Sequence, residues 1–162
     1  MPTSDELTSK AKELRRLGRL EEAMISARHA AALDSKNADA AWQLALCQLD
    51  LFGAAKAIEA LERVTELAPR FAYGWTQLGI AFSKTGDSDR AEECFEQAVE
   101  LDADDERALK ELAQIYEQGQ RADDELRVLL ALENLTDLTI HQTNRLGILH
   151  HNKRELYTAI RY

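Results

Sequence analysis

A small side chain returns at one place every 34 residues, and that recurrence limits the fold more than any other feature of the chain. With units beginning at Ser4, Ala38, Ala72, Glu106 and Ile140, the eighth position is Ala11, Ala45, Gly79, Ala113 and Gly147. The twentieth is Ala23, Ala57, Ala91, Glu125 and Ala159. Leucine fills the thirtieth in four units, as Leu33, Leu67, Leu101 and Leu135, and the seventh in Leu44, Leu78, Leu112 and Leu146 after Lys10. Two helices that cross closely need small residues where their backbones approach, so each unit is predicted to be one helix hairpin. Only two prolines interrupt a chain rich in Ala, Leu, Glu and Arg, all good helix formers.

The clearest unit runs from Ala72 to Asp105. Trp75, Leu78, Gly79 and Phe82 fall at i, i+3, i+4 and i+7 on one helix face, and Ala91, Phe95, Ala98 and Leu101 make a second stripe. Gly86 between them can take the left-handed conformation that closes a helix, and Asp87 or Ser88 can accept from the amides that open the next. The spacing W-x2-L-G-x2-F followed by A-x3-F-x2-A resembles the tetratricopeptide repeat. That resemblance implies an all-α, right-handed superhelical solenoid of antiparallel helix pairs. It would form a single array over residues 1–162, with repeats at 4–37, 38–71, 72–105 and 106–139 and a partial one at 140–162. It also implies a scaffold that binds other proteins, and it names no partner.

Departures from the pattern set further expectations. Lys10 in the first unit suits an end repeat whose outer face meets water. In the second unit Trp42 stands one place after the usual aromatic, Gln48 stands where an aromatic is typical, and Gly53 is one residue late. Either this helix is rotated, bringing Trp42 and Leu49 into the stack, or the register holds and Trp42 faces the inner surface. The cost of leaving a tryptophan in water favours the stack. Glu125 puts a carboxylate at a crossing, which is costly unless it reaches solvent or a cation, so its helix is expected to be displaced or rotated. In the fifth unit Leu146, Gly147 and His150 continue the first-helix stripe, and LYTAIRY, residues 156–162, reads as the opening of a second helix around Ala159. An array ending there suggests a piece of a longer protein, or an end that packs against another copy.

Charge narrows the partners. With 20 basic and 29 acidic residues the net charge is -9, which opposes broad binding to nucleic acid or anionic membrane. Cys47 and Cys94 lie on different units and suit a reducing compartment as unpaired thiols. The acidic N-terminus MPTSDELTSK has no apolar run, and no 18-residue apolar stretch exists, so cytoplasmic residence is expected. His141, His150 and His151 lack companions at ligand spacing, and there is no phosphate-cradling glycine loop, no G-x-S-x-G and no H-E-x-x-H. The chain is therefore read as a non-enzyme needing no cofactor or metal. The alternative is a regulatory or substrate-recruiting arm of a larger enzyme continuing beyond residue 162.

The resemblance further implies that the first helices line a concave groove through their second, fifth, sixth, ninth, twelfth and thirteenth positions. Unit by unit these are Lys12, Arg15 and Arg16; Asp39, Trp42, Gln43 and Asp50; Tyr73, Thr76, Gln77, Ile80 and Lys84. The fourth unit adds Arg107, Lys110, Glu111 and Gln114, and the fifth His141, Asn144, Arg145, His151 and Asn152. Net charge by unit runs +1, -2, -7, -4 and +3, and most of the third unit's acids fall on its second helix. An acidic outer surface around a mixed, locally basic groove follows. Such a groove would take an extended or helical peptide of acidic character, with Gln43, Gln77 and Asn144 bonding its main chain and Arg107, Lys110 and Arg145 meeting its acids. The family's clamp for a C-terminal carboxylate is absent, since its positions read Thr8, Lys12, Gln43, Tyr73 and Gln77.

Overall fold

Every helix in the computed structural model starts where the 34-residue period places it. The structure describes the backbone of residues 1–160 and the side chains of residues 1–154. First helices of the hairpins are α1 (Ser4–Arg16), α3 (Ala38–Phe52), α5 (Ala72–Thr85) and α7 (Glu106–Gln118), with α9 (Ile140–Ile160) after them. Second helices are α2 (Leu20–Leu33), α4 (Ala54–Leu67), α6 (Ser88–Leu101) and α8 (Ala122–Leu135), each ending on the recurrent leucine. No strand occurs among the described residues.

The boundaries have local causes. Thr3, Asn37, Asp105 and Thr139 each precede a first helix and accept from a backbone amide three residues on, which satisfies one of the donors a helix start leaves open. Thr3 completes a capping box with Glu6. At the equivalent place before α5 stands Phe71, which provides no side-chain cap. Gly18 and Gly86 end their first helices at φ 75° and 85°, and Gln120 takes the same place at φ 56°.

The chain divides into two compact units, Met1–Leu101 and Asp102–Tyr162. In the first, Ala23, Ala57 and Ala91 are fully buried at the crossings of their hairpins. Gly79 shows how tight a crossing is: a Cβ there would lie 2.7 Å from the buried ring of Phe95. Cys47 and Cys94 are buried, unpaired thiols on neighbouring hairpins of this unit.

In the second unit Leu109, Leu112 and Tyr116 of α7 pack with Leu126, Leu129 and Leu132 of α8, and Leu146 and Leu149 of α9 are buried. Three expectations change here. The helix carrying Glu125 keeps both its place and its orientation: α8 spans the same unit positions as α2, α4 and α6, and Glu125, Val128, Leu129 and Leu132 bury the same stripe that Ala91, Cys94, Phe95 and Ala98 bury in α6. The carboxylate has instead reached a cation. Secondly, α9 is one helix of 21 residues through Ile160, with no turn before the segment read as a second helix. Arg154 stands where Gly18, Gly86 and Gln120 reverse the chain, so nothing breaks the helix there. The packing of Ala159 lies outside the described residues. Finally, His150 is exposed and Leu149 takes the buried place assigned to it, while a Cβ on Gly147 would meet nothing within 4 Å because no second helix crosses it.

Candidate functional site

In the second hairpin Ala41, Ala45 and Cys47 of α3 are buried and Trp42 is half-buried. Its cost of exposure is reduced by two other rings. Trp42 lies edge-on to Phe71 at 5.2 Å and to Tyr73 at 5.7 Å, and Phe71 meets Tyr73 at 6.2 Å. Phe71 remains 36% exposed and Tyr73 53% exposed, leaving an aromatic surface in the first unit. Gly74 makes room for it, since a Cβ there would sit 2.9 Å from the Phe71 ring.

Other candidate residues sit differently from one another. Thr76 is 0% exposed and its hydroxyl donates to the Ala72 carbonyl one turn earlier, so it offers no surface to a ligand. Gln43, 5% exposed, is likewise sunk below the surface rather than lining it. Gln77 is half-buried and Asn144 exposed.

The cations carry their own counter-ions. In the first unit Lys12 pairs with Asp39 at 3.1 Å and Arg15 with Asp50 at 2.9 Å, linking α1 to α3. Arg16 instead pairs along its own helix with Glu13 at 2.7 Å, which raises the Arg16 pKa and holds Glu13 below the usual carboxylate range. In the second unit Arg107 pairs with Glu111 at 3.2 Å and Lys110 with Glu106. Exposed pairs of this kind are worth about 0–1 kcal/mol, so an acidic ligand can compete for such cations at little cost.

Arg145 is held far more firmly. Its Nε donates to Glu125 Oε1 at 2.8 Å, a second guanidinium nitrogen donates to Glu125 Oε2, and Glu117 lies 3.2 Å away. The hydrogen bonds to Glu125 and then the charges of Glu125 and Glu117 raise its pKa. His141 Nε2 stands 3.4 Å from the same Glu117. Lys110, Gln114, His141 and Arg145 thereby share one cleft of about 520 Å³ within the second unit, floored by Ala113 and Leu129.

No group of three or more His, Cys, Asp or Glu side chains is placed to hold a metal ion among the described residues. Burial pushes the Cys94 thiol up to about 12, with Glu93 adding to the effect, and burial likewise raises Cys47. Both thiols are poorly suited to nucleophilic chemistry. No described helix is long and apolar enough to cross a membrane.

The sequence pattern flagged Trp42 and Tyr73 but missed Phe71. Its signal was available: position 34 reads Asn37, Phe71, Asp105 and Thr139, and a lone aromatic among capping residues marks a place where helix chemistry has been given up.

Comparison with known proteins agrees with this architecture. A family model described as tetratricopeptide repeat matches residues 76–137, and a second of the same description matches residues 7–37. Among solved structures, one of the MamA protein superposes with a TM-score of 0.79 at 18% identity, covering 98% of this chain and 87% of that one. The structure of YrrB, described as a TPR protein with an unusual peptide-binding site, gives 0.78 at 19% identity, covering 92% of this chain and 77% of that one. No curated protein sequence matches the chain.

Proposed function

We propose that this chain, which belongs to the tetratricopeptide repeat family, is a scaffold that binds a peptide segment of a partner protein along its first-helix face. One observation carries the reading. Phe71 occupies a helix-capping place, forgoing about 1 kcal/mol of cap, and joins Trp42 and Tyr73 in a partly exposed aromatic surface. A cap is traded there for a ring that packs on Trp42 and Tyr73 and stays partly exposed. The structural likeness to a peptide-binding repeat protein supports binding over catalysis, in keeping with repeat arrays generally.

In this reading the aromatic trio anchors an apolar side chain of the ligand. Within the same unit the exchangeable cation Lys12 gives up Asp39 for an acidic side chain of the peptide, and Gln77 bonds its main chain. The second unit, by itself, offers Arg107, Lys110 and Asn144 for the same kinds of contact. The cysteine content and the net charge of -9 suit a cytoplasmic partner that is neither nucleic acid nor membrane.

A displayed random-peptide library selected against the wild-type chain should enrich peptides with an apolar anchor beside acidic residues. The same selection on a W42A–Y73S chain should lose them, and recovery of the same peptides by both would defeat the proposal. A second reading has its own observation: Ile140 and Ile148 of α9 are exposed at 84% and 50%, an apolar edge on which a second copy could pack. Light scattering across a concentration series, repeated with I148D, tests it.

A further inference from the structure

The first unit holds the same cleft twice, and the two copies are finished differently. Each lies between successive second helices and is floored by positions four, seven and eleven of the first helix between them. Where α5 is the floor, those positions are Trp75, Leu78 and Phe82. Trp75 Nε1 donates to the Pro69 carbonyl at 2.9 Å, and the Arg90 guanidinium stacks 4.2 Å from the Phe82 ring centroid. That floor is aromatic, its indole N–H is satisfied, and a cation is stacked on one of its rings.

Where α3 is the floor, the same three positions are Ala41, Leu44 and Gln48. The volumes are similar, about 470 Å³ here and about 460 Å³ there, so the difference is one of chemistry. Both aromatic rings are missing, and the amide that replaces one of them has its Oε1 shielded from solvent without a hydrogen-bond partner. A buried acceptor left unmet is the sort of defect that a ligand donor repairs. On the rim, Arg63 is already committed, donating to the Ser35 carbonyl at 2.9 Å and pairing with Glu66 at 2.8 Å. Glu59 has no ion pair among the described residues, and Glu62 has only Arg90 at 3.7 Å.

We infer that the α2–α3–α4 cleft is a second docking site, separate from the first-helix face, for a partner segment presenting tryptophan or tyrosine beside lysine or arginine. The ring lies over Ala41 and Leu44, on a floor that Trp75 and Phe82 make aromatic one unit later. Its N–H or O–H donates to Gln48 Oε1 once the amide turns toward it, and the neighbouring cation meets Glu59 and Glu62. The acidic rim selects basic segments, opposite in sign to those proposed for the first-helix face, so the two sites do not compete for one ligand.

The test is an NMR titration of the full chain with the acetylated, amidated peptide Arg-Trp-Arg, beside Arg-Phe-Arg and Arg-Ala-Arg. Saturable shifts are expected at the amides of Ala41, Leu44, Gln48 and Ala60, strongest for the tryptophan probe and absent for the alanine one. The floor variant A41W–Q48F, which gives the second hairpin the third one's filling, should abolish those shifts. Because that variant alters a packed region, the surface variant E59K–E62K provides an independent measure, and its affinity should fall about fivefold, the weight of two exposed ion pairs. Shifts centred on Trp42 and Tyr73, or an E59K–E62K chain that binds like wild type, would overturn the site.

Discussion

Residues 1–101 and 102–162 solve the same crossing problem by different means. In the first unit the twentieth position is Ala23, Ala57 and Ala91, all fully buried, and the crossings close by contact alone. In the second it is Glu125, 1% exposed, and the crossing closes because Arg145 of the following helix brings a guanidinium to it. An alanine crossing is complete within its hairpin. A glutamate crossing depends on the next helix being present, so α8 and α9 are bound by a requirement that no hairpin of the first unit has.

The largest effect should come from breaking that dependence. Arg145→Met leaves a buried, uncompensated carboxylate and should cost about 3–5 kcal/mol in urea unfolding, whereas the double variant E125M–R145M should return to within about 1 kcal/mol of wild type. If the single variant were as stable as the double, the pair would be ornamental. Next in size is a matched test at unit position eight. Gly79→Ala drives a Cβ to 2.7 Å from Phe95 and should cost about 1–3 kcal/mol, more than the roughly 1 kcal/mol of helix propensity it gains. Gly147→Ala meets nothing, so thermal unfolding should show it stabilised by about 0.5–1 kcal/mol. Equal signs in the two glycine variants would mean that the crossings are alike after all.

How far the sequence was readable follows from the same contrast. Helix starts in the first four hairpins were legible because they rest on local chemistry: a period, a stripe, a capping side chain and a residue able to reverse the chain. The fifth unit lacks that last residue, and the second-helix start read there is absent. Glu125 was legible as an anomaly but not in its resolution, since its partner Arg145 lies 20 residues on and ion pairing leaves no periodic trace. The place of Trp42 stayed open because its hydrophobicity was weighed alone. The two rings that shelter it come from Phe71, in a slot read as a turn, and Tyr73, assigned to the groove on its own. Among the candidate cations, Arg107 with Glu111 and Lys110 with Glu106 are i,i+4 pairs that helix spacing shows, whereas Lys12 with Asp39 and Arg15 with Asp50 join neighbouring helices and leave no such trace.

Two smaller effects refine the picture. Phe71→Asp restores the missing cap and should stabilise the first unit by about 0.5–1 kcal/mol in chemical denaturation, while reducing capture of the peptides selected by wild type. A loss of stability would mean that the ring serves the fold more than the ligand. Smallest is a kinetic difference between thiols and solvent: with Cys94 pushed to about 12, almost none of it is thiolate at pH 8, and labelling by a disulfide reagent should wait for opening of the α5–α6 hairpin. Fast labelling in the native state would show that this hairpin breathes far more than its packing suggests.

Within each unit, the helices that touch most are neighbours along the chain: α5 with α6, α1 with α2 and α3 with α4 in the first, and α7 with α8 in the second. A nascent polypeptide emerging from the ribosome therefore carries most of what each hairpin needs as soon as its own residues and those just before them are out. In the second unit the crossing at Glu125 can close only after Arg145, 20 residues further on, has been synthesised, so α8 settles against α7 in full only once α9 has followed it.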